Sequence, residues 1–147
     1  MKDDADLDCG QIILQVGTGK GPSDFIAVEG EKTKVLFDSG AKITIIVNRF
    51  YQDQLRGKVN LMKSDIKPCA YGGEPIELHA YFIGFIEYER RYTMGKVYVS
   101  KKGGSIISWM HQKDLGVMLD PNSFLPIILR ERPDVKLVKD EKDNMSL

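Results

Sequence analysis

Short runs of apolar, β-branched and aromatic residues recur along most of this chain: QIILQV (11–16), DFIAVEG (24–30), TKVLFDSG (33–40), KITIIV (42–47), IELHAYFIGFIEYE (76–89), RRYTMGKVYVS (90–100) and GSIISW (104–109). Gly, Pro, Asn or Asp punctuates most of them, the pattern of a small all-β barrel or sandwich. Helical spacing is confined to about Trp109 to Leu115, with Gly116 placed to close the helix as a C-terminal cap. A second turn of helix is expected over 48–55. After Asp120-Pro121 the pattern gives way to one apolar patch and then a charged, Pro-interrupted end. Three parts are therefore expected: a flexible N-terminal segment (1–9), one folded domain (10–121), and a C-terminal extension (122–147) that is partly disordered.

Composition narrows the function classes. The 147 residues carry 21 basic and 21 acidic side chains, for a formal charge of zero, and no basic stripe is interleaved with aromatics. Nucleic-acid binding by this domain is not expected. No apolar run is long enough to span a membrane, and the acidic start MKDDADLD is unlike a signal peptide, so a soluble, non-secreted protein is expected. Cys9 and Cys69 lie far apart without metal-ligand spacing, and are read as reduced thiols. No metal or other cofactor is expected.

Most candidate chemistry fails on spacing. VGTGKGPS (16–23) has the glycines of a phosphate loop, but Lys20 is followed by Gly21 and no helical pattern succeeds it; it reads as a turn. His79 falls in a strand pattern and His111 in the short helix, neither at ligand spacing from other donors. Ser39, Ser105 and Ser108 lack a nucleophile-elbow pattern, and Cys69 lacks the flanks of a thiol enzyme.

Asp38 is different. It interrupts VLFDSGAKITII, where apolar runs on both sides are suited to burial. Alone, Asp38-Ser39-Gly40 reads as a turn, since Asp tolerates tight bends and Gly supplies positive φ. Between two buried strands, however, the turn lies in or beside the core, and a carboxylate there costs several kcal/mol unless satisfied.

LFDSGAKITII resembles the active-site motif of the retropepsins, the aspartic proteases of retroviruses and retrotransposons. KPCAYGGEPIEL (67–78) resembles that family's flap hairpin, with Gly72-Gly73 at its tip. GKVYVSKKGGSIISWMHQKDLGVML (95–119) resembles its late strands, the apolar pair Ile106-Ile107, and the helix ending in Leu-Gly. The resemblance covers about residues 10 to 120. It implies an all-β fold, a small closed barrel of retropepsin type with one short C-terminal helix, working as a two-fold symmetric homodimer. It further implies an aspartic endopeptidase acting on an extended polypeptide, such as the Gag-Pol-like polyprotein of a retroelement, in the cytoplasm or within a virus-like particle.

Aspartic protease chemistry needs two carboxylates facing one water, and the chain holds a single Asp-Ser-Gly and no Asp-Thr-Gly. The second acid must come from another copy. By resemblance, Asp38 is the catalytic acid, Ser39 braces the paired loops across the interface, and Gly40 permits close backbone approach. Leu36, Ile45, Cys69, Gly104 and Ile106 are implied to line side-chain pockets, and Ala41, Lys42, Tyr71, Gly72 and Gly73 to contact substrate.

Two positions depart from the family pattern. Lys42 stands where many members carry a second Asp, and Ser108-Trp109 follows the apolar pair where Gly and often a basic residue are usual. They motivate an alternative, a retropepsin-like dimerisation or peptide-binding module without catalytic activity. An unrelated ligand-binding barrel is the third reading.

Overall fold

The computed structural model describes residues 22–66, 77–119, 126–128 and 136–138. Strands β1 (Ser23–Val28) and β2 (Glu31–Phe37) form a hairpin, β3 (Thr44–Val47) runs into a helical segment, and β4 (Met62–Lys63) precedes the long hairpin of β5 (Leu78–Tyr88) and β6 (Arg91–Ser100). The two-residue β7 (Ile106–Ile107) leads into a six-residue helix, Trp109–Asp114, followed by β8 (Val117–Leu119), β9 (Pro126–Ile128) and β10 (Lys136–Leu137). We label the segment after β3 α1 (Asn48–Phe50), and Trp109–Asp114 α2. The strands in DFIAVEG, TKVLFDSG, KITIIV, IELHAYFIGFIEYE, RRYTMGKVYVS and GSIISW form where the pattern predicts them; QIILQV lies outside the described residues.

The sheet closes on itself. Pairing runs β6–β3–β7–β2–β1–β5 and returns through β5–β6, with β10 and β4 attached outside this ring. Closure pairs the strands of the ring on both sides, and β10 and β4 take edges left on β6 and β5. Both hairpins turn through two residues of positive φ, Glu29 and Gly30 in one and Glu89 and Arg90 in the other, the geometry that matches strand twist. Glu29 also helps close the barrel: its N–H donates to Phe85 O at 2.9 Å, and its Oε2 accepts Phe85 N–H at 2.7 Å.

The barrel interior is filled by Ile26, Val28, Val35, Phe37, Ile46, Phe82, Ile86, Val97, Val99 and Ile107, all buried. Leu55, Leu115 and Val117 extend this core beneath the helical segments and β8. The turn of helix expected over 48–55 forms as α1 followed by a π-helical turn (Tyr51–Leu55), in which Arg56 N–H reaches back to Tyr51 O at 2.8 Å. Tyr51 and Leu55, four residues apart and so on one face, are both buried in the core. Helix α2 ends as expected at Gly116, whose φ of +70° suits a residue without Cβ. Arg91 caps that end, its Nη1 donating to Leu115 O at 3.1 Å and Gly116 O at 3.2 Å.

Within the 122–147 extension, β9 pairs with β8, and β10 pairs with Arg91 and Tyr92 at the start of β6. The N-terminal segment 1–9 lies outside the described residues.

The Asp38 loop owes its position to one feature of the topology. Strands β2 and β3 are consecutive in sequence but not neighbours in the sheet, because β7 is inserted between them, parallel to β2 and antiparallel to β3. Leu36 and Ile45 both face Ile106 across this insertion. The loop 38–43 must therefore arch over β7 to connect its flanking strands.

Candidate active site

Asp38 leaves the end of β2 and is 6% exposed. The Gly40 N–H donates to Asp38 Oδ1 at 2.8 Å, and the Ala41 N–H to Asp38 O at 3.0 Å. The acid is thus fixed both by its own side chain and by its own carbonyl, in a turn that places Ser39 on the outside and Ala41 fully inside. Lys42 is exposed on the same loop.

Helix α2 and the residues before it hold the loop from below. Trp109 N–H donates to Ala41 O at 2.9 Å. Gln112, itself 4% exposed, donates through Nε2 to Asp38 O at 3.2 Å and to Ile107 O at 3.0 Å. Thr44 Oγ1 accepts the Ser108 N–H at 2.9 Å and lies 2.6 Å from His111 Nδ1. Ser108 caps the helix, its Oγ accepting the His111 N–H at 3.1 Å. Ser105 bridges both strands beside β7: its carbonyl accepts Leu36 N–H at 2.9 Å and its Oγ accepts Val47 N–H at 3.1 Å. Ser105, Ser108 and His111 are accordingly structural groups, as the absence of a nucleophile pattern suggests.

His111 is the titratable group nearest this scaffold with a displaced ionisation. Burial holds its imidazole below the ordinary histidine value, while Asp114 opposes that shift. Its ring lies against the backbone of Gly95, where an added Cβ would stand 2.5 Å from Nε2. Asp114 in turn accepts the Thr93 hydroxyl at 3.0 Å.

The structure gathers Ala41, Ile45 and Ile106 with Tyr98 in a second, smaller apolar cluster, with Leu36, Ile43, Ile66, Leu78 and Tyr81 partly buried against it. Ala41, Ile45 and Ile106 form its buried floor, while Leu36 keeps part of its surface accessible. Gly104 is exposed, with open space where a Cβ would be. Asp65 fixes the edge of the cluster, accepting Tyr98 Oη at 2.9 Å and Lys96 Nζ at 2.7 Å, and Lys96 lies 4.8 Å from the Tyr81 ring centroid. The Lys96 hydrogen bond lowers the Asp65 carboxyl below the usual carboxylate range, while burial, with the bond to Asp65, pushes the Tyr98 phenol well up. Cys69, Tyr71, Gly72 and Gly73 lie outside the described residues.

Thr44 and Gln112 escape the sequence reading, although each leaves a trace there. Each is a polar residue in a register that its neighbours mark as inward: Thr44 opens the buried run continued by Ile45 and Ile46, and Gln112 stands one turn before the buried Leu115. Buried polar groups need partners, and here they are the Ser108 N–H and the His111 ring for Thr44, and the carbonyls of Asp38 and Ile107 for Gln112. Among the described residues no group of three or more His, Cys, Asp or Glu is placed to hold a metal ion, and no helix is long and apolar enough to cross a membrane.

No protein-family model and no curated protein matches the sequence. Solved structures do match. The chain is similar to EIAV protease complexed with the inhibitor HBY-793, with a TM-score of 0.57 and 18% identity, over 71% of this chain and 96% of that one. It is also similar to the retroviral protease-like domain of Ddi1 from Leishmania major, with a TM-score of 0.54 and 17% identity, over 83% of this chain and 97% of that one. The chain has the retropepsin-like fold that its motifs imply.

Proposed function

We propose that this protein is an aspartic endopeptidase of retropepsin type, in which Asp38 from each of two copies activates one water between them. The observation that carries this reading is the buried residue Asp38, its carboxylate taking the Gly40 N–H, in a loop whose carbonyls helix α2 holds through Gln112 and Trp109. So many fixed contacts around one acid suit a group that must keep its geometry during chemistry.

Two carboxylates a few ångströms apart cannot both ionise cheaply, so the pair shares a proton and its apparent pKa values belong to the pair. The ionised member takes a proton from water as the water oxygen attacks the scissile carbonyl carbon. The protonated member donates to the carbonyl oxygen. Collapse of the resulting diol breaks the C–N bond as a proton passes to the leaving nitrogen. The substrate is an extended polypeptide with apolar residues around the scissile bond, which suits the apolar cluster beside the loop. A Gag-Pol-like polyprotein, processed in the cytoplasm or within a virus-like particle, is the natural source of such a chain.

Mass spectrometry of an extended-peptide library, incubated with wild type and with Asp38→Asn from pH 4 to 8, tests this. Asparagine keeps an acceptor for the Gly40 N–H but cannot take up the proton, so cleavage by the variant should fall by about 1,000-fold or more. Equal cleavage by both proteins would refute the assignment. A wild type that dimerises and binds extended peptide without cutting would leave the noncatalytic binding module as the function.

A further inference from the structure

Lys101 and Lys102 follow β6 directly and are exposed, as are Gly103 and Gly104 after them. The backbone beneath the two lysines is fixed. Lys101 N–H donates to Glu77 O at 3.0 Å, and Ser100 Oγ accepts the Lys102 N–H at 3.2 Å while its own hydroxyl donates to Lys102 O. Ser100 is 1% exposed, so the loop is anchored in the body of the fold while its lysines stand in solvent. Neither lysine has an acidic partner among the described residues, whereas Lys96 is paired with Asp65 and Lys58 with Glu31. The exposed Glu77 adjoins the loop, one carboxylate against two ammonium groups.

The topology brings this loop to the site. Gly104 and Ser105 lead into β7, whose Ile106 is level with Leu36 in a parallel pairing, and Ser105 O takes the Leu36 N–H at 2.9 Å. Leu36 precedes Asp38 by two residues and Gly104 precedes Ile106 by two, so Gly104 lies four strand steps from the acid. At about 3.3 Å per step that is roughly 13 Å. The surface between them includes the accessible part of Leu36, and the space over Gly104 is open. An extended chain with its scissile bond at Asp38, running in this direction, therefore meets the two lysines three or four residues away.

We infer that Lys101 and Lys102 select the substrate by charge, so that the protein favours apolar sites flanked by Asp or Glu three or four residues from the scissile bond. This rests on the retropepsin reading, and two copies related by a two-fold axis set one such loop on each flank. Apolar contact at the centre supplies most of the burial, and the flanking lysines discriminate against a chain of the same sign. Gly103 and Gly104 bring no side chains, which leaves room beside the ammonium groups for an incoming carboxylate.

The test uses the full chain and a matched set of internally quenched peptides that share one apolar centre and carry Glu, Gln or Lys at the third and fourth places on both sides. Each exposed contact is worth about twofold and four act together, so kcat/KM for the Glu-flanked peptide should exceed that for the Gln-flanked one on the order of 10-fold at low salt. The Lys-flanked peptide should be cut more slowly still. The preference should collapse at about 1 M salt, where the screening length is about 3 Å. It should lie in KM with kcat shared, because the contact is the same before and during the reaction. Lys101→Glu and Lys102→Glu should each remove most of the preference, and together reverse it. Lys136→Glu, the same change of charge on β10, should leave it as in wild type.

Binding of fluorescently labelled peptides with the same sequences to Asp38→Asn, read by anisotropy, reports selection without cleavage. Glu-flanked and Lys-flanked peptides cut and bound alike, or a preference that survives the double variant, or one that Lys136→Glu moves as far as the loop variants do, would each overturn the charge selection. Cleavage by wild type in those cases leaves the catalytic reading standing. A charge preference in binding, with no cleavage by wild type, would support the selection and remove the catalytic reading. A chain that neither binds nor cuts any of the peptides would overturn both.

Discussion

Gln112→Met removes the strut between helix α2 and the Asp38 loop while nearly preserving side-chain volume. The lost contacts are two buried hydrogen bonds from Nε2, to Asp38 O at 3.2 Å and to Ile107 O at 3.0 Å. Each is worth about 1 kcal/mol net, and a buried acceptor left without a donor adds a further penalty of about 1–3 kcal/mol. Asp38 O retains the Ala41 N–H at 3.0 Å, which limits the penalty on that side. The sum is a destabilisation of about 3–5 kcal/mol, to be read by urea unfolding at one fixed protein concentration, with the m-value unchanged. Gln112→Glu adds a sign. A carboxyl buried beside two carbonyl oxygens favours its protonated form, so its folded pKa lies above the unfolded value of about 4.3. Its stability is then greatest below pH 4 and is lost as pH rises through the folded pKa, whereas Gln112→Met shows no such added slope. A Gln112→Met protein within 0.5 kcal/mol of wild type would show that the loop is held without the amide.

Three further outcomes follow from the packing. Gly84→Ala places a Cβ 2.8 Å from Phe82 Cε2 and 3.0 Å from Val97 Cγ2, both belonging to fully buried side chains, so overpacking should cost about 1–3 kcal/mol in chemical denaturation. His111 has a folded pKa below its ordinary 6.5, so the unfolded chain takes up its proton first on acidification; stability should be full above pH 6.5, fall as pH drops below it, and lose part of that slope in His111→Gln, as measured by thermal melts across pH 5 to 8. Ser108→Ala removes the cap on the His111 N–H and should cost about 1 kcal/mol, whereas Ser108→Gly, the residue usual in the resembled family, should cost only a few tenths in the same denaturation assay.

The strands were legible because their inward positions carry the pattern in their own residues. In β2 the sequence EKTKVLF passes from exposed Lys32 and Lys34 to buried Val35 and Phe37, and β3 is apolar because three of its four residues are buried. The Asp-Ser-Gly loop was legible because an acid between two such strands needs a reason. The insertion of β7 was not, since Ile106-Ile107 is too short for any period and its partners are some 60 to 70 residues away in sequence. The same holds for β9 and β10, whose pairing is decided by edges left available on β8 and β6 rather than by local composition. Thr44 and Gln112 were passed over for a different reason. Thr44 takes the Ser108 N–H as well as the His111 ring, Gln112 donates to the carbonyls of Asp38 and Ile107, and backbone groups leave no mark in a sequence.

The β7 insertion also explains how an acid comes to be buried at the end of a strand. With β2 and β3 held apart by β7, the loop joining them has no sheet neighbour of its own, and its carbonyls must find donors elsewhere. Asp38 O and Ala41 O find them in Gln112 Nε2 and Trp109 N, which makes α2 part of the site although its one acid, Asp114, is engaged elsewhere, by the Thr93 hydroxyl. A helix of six residues could not stand alone, so it is held by Ser108 at one end, by Arg91 at the other, and by Gln112 and Leu115 against the body of the fold. Its inner side fixes the Asp38 loop, while Trp109 and Met110 stand partly exposed on the outside. Variants on the two sides should therefore separate cleanly in chemical denaturation: an inner one such as Gln112→Met changes the free energy of unfolding, and an outer one such as Met110→Ala leaves it within about 0.5 kcal/mol of wild type.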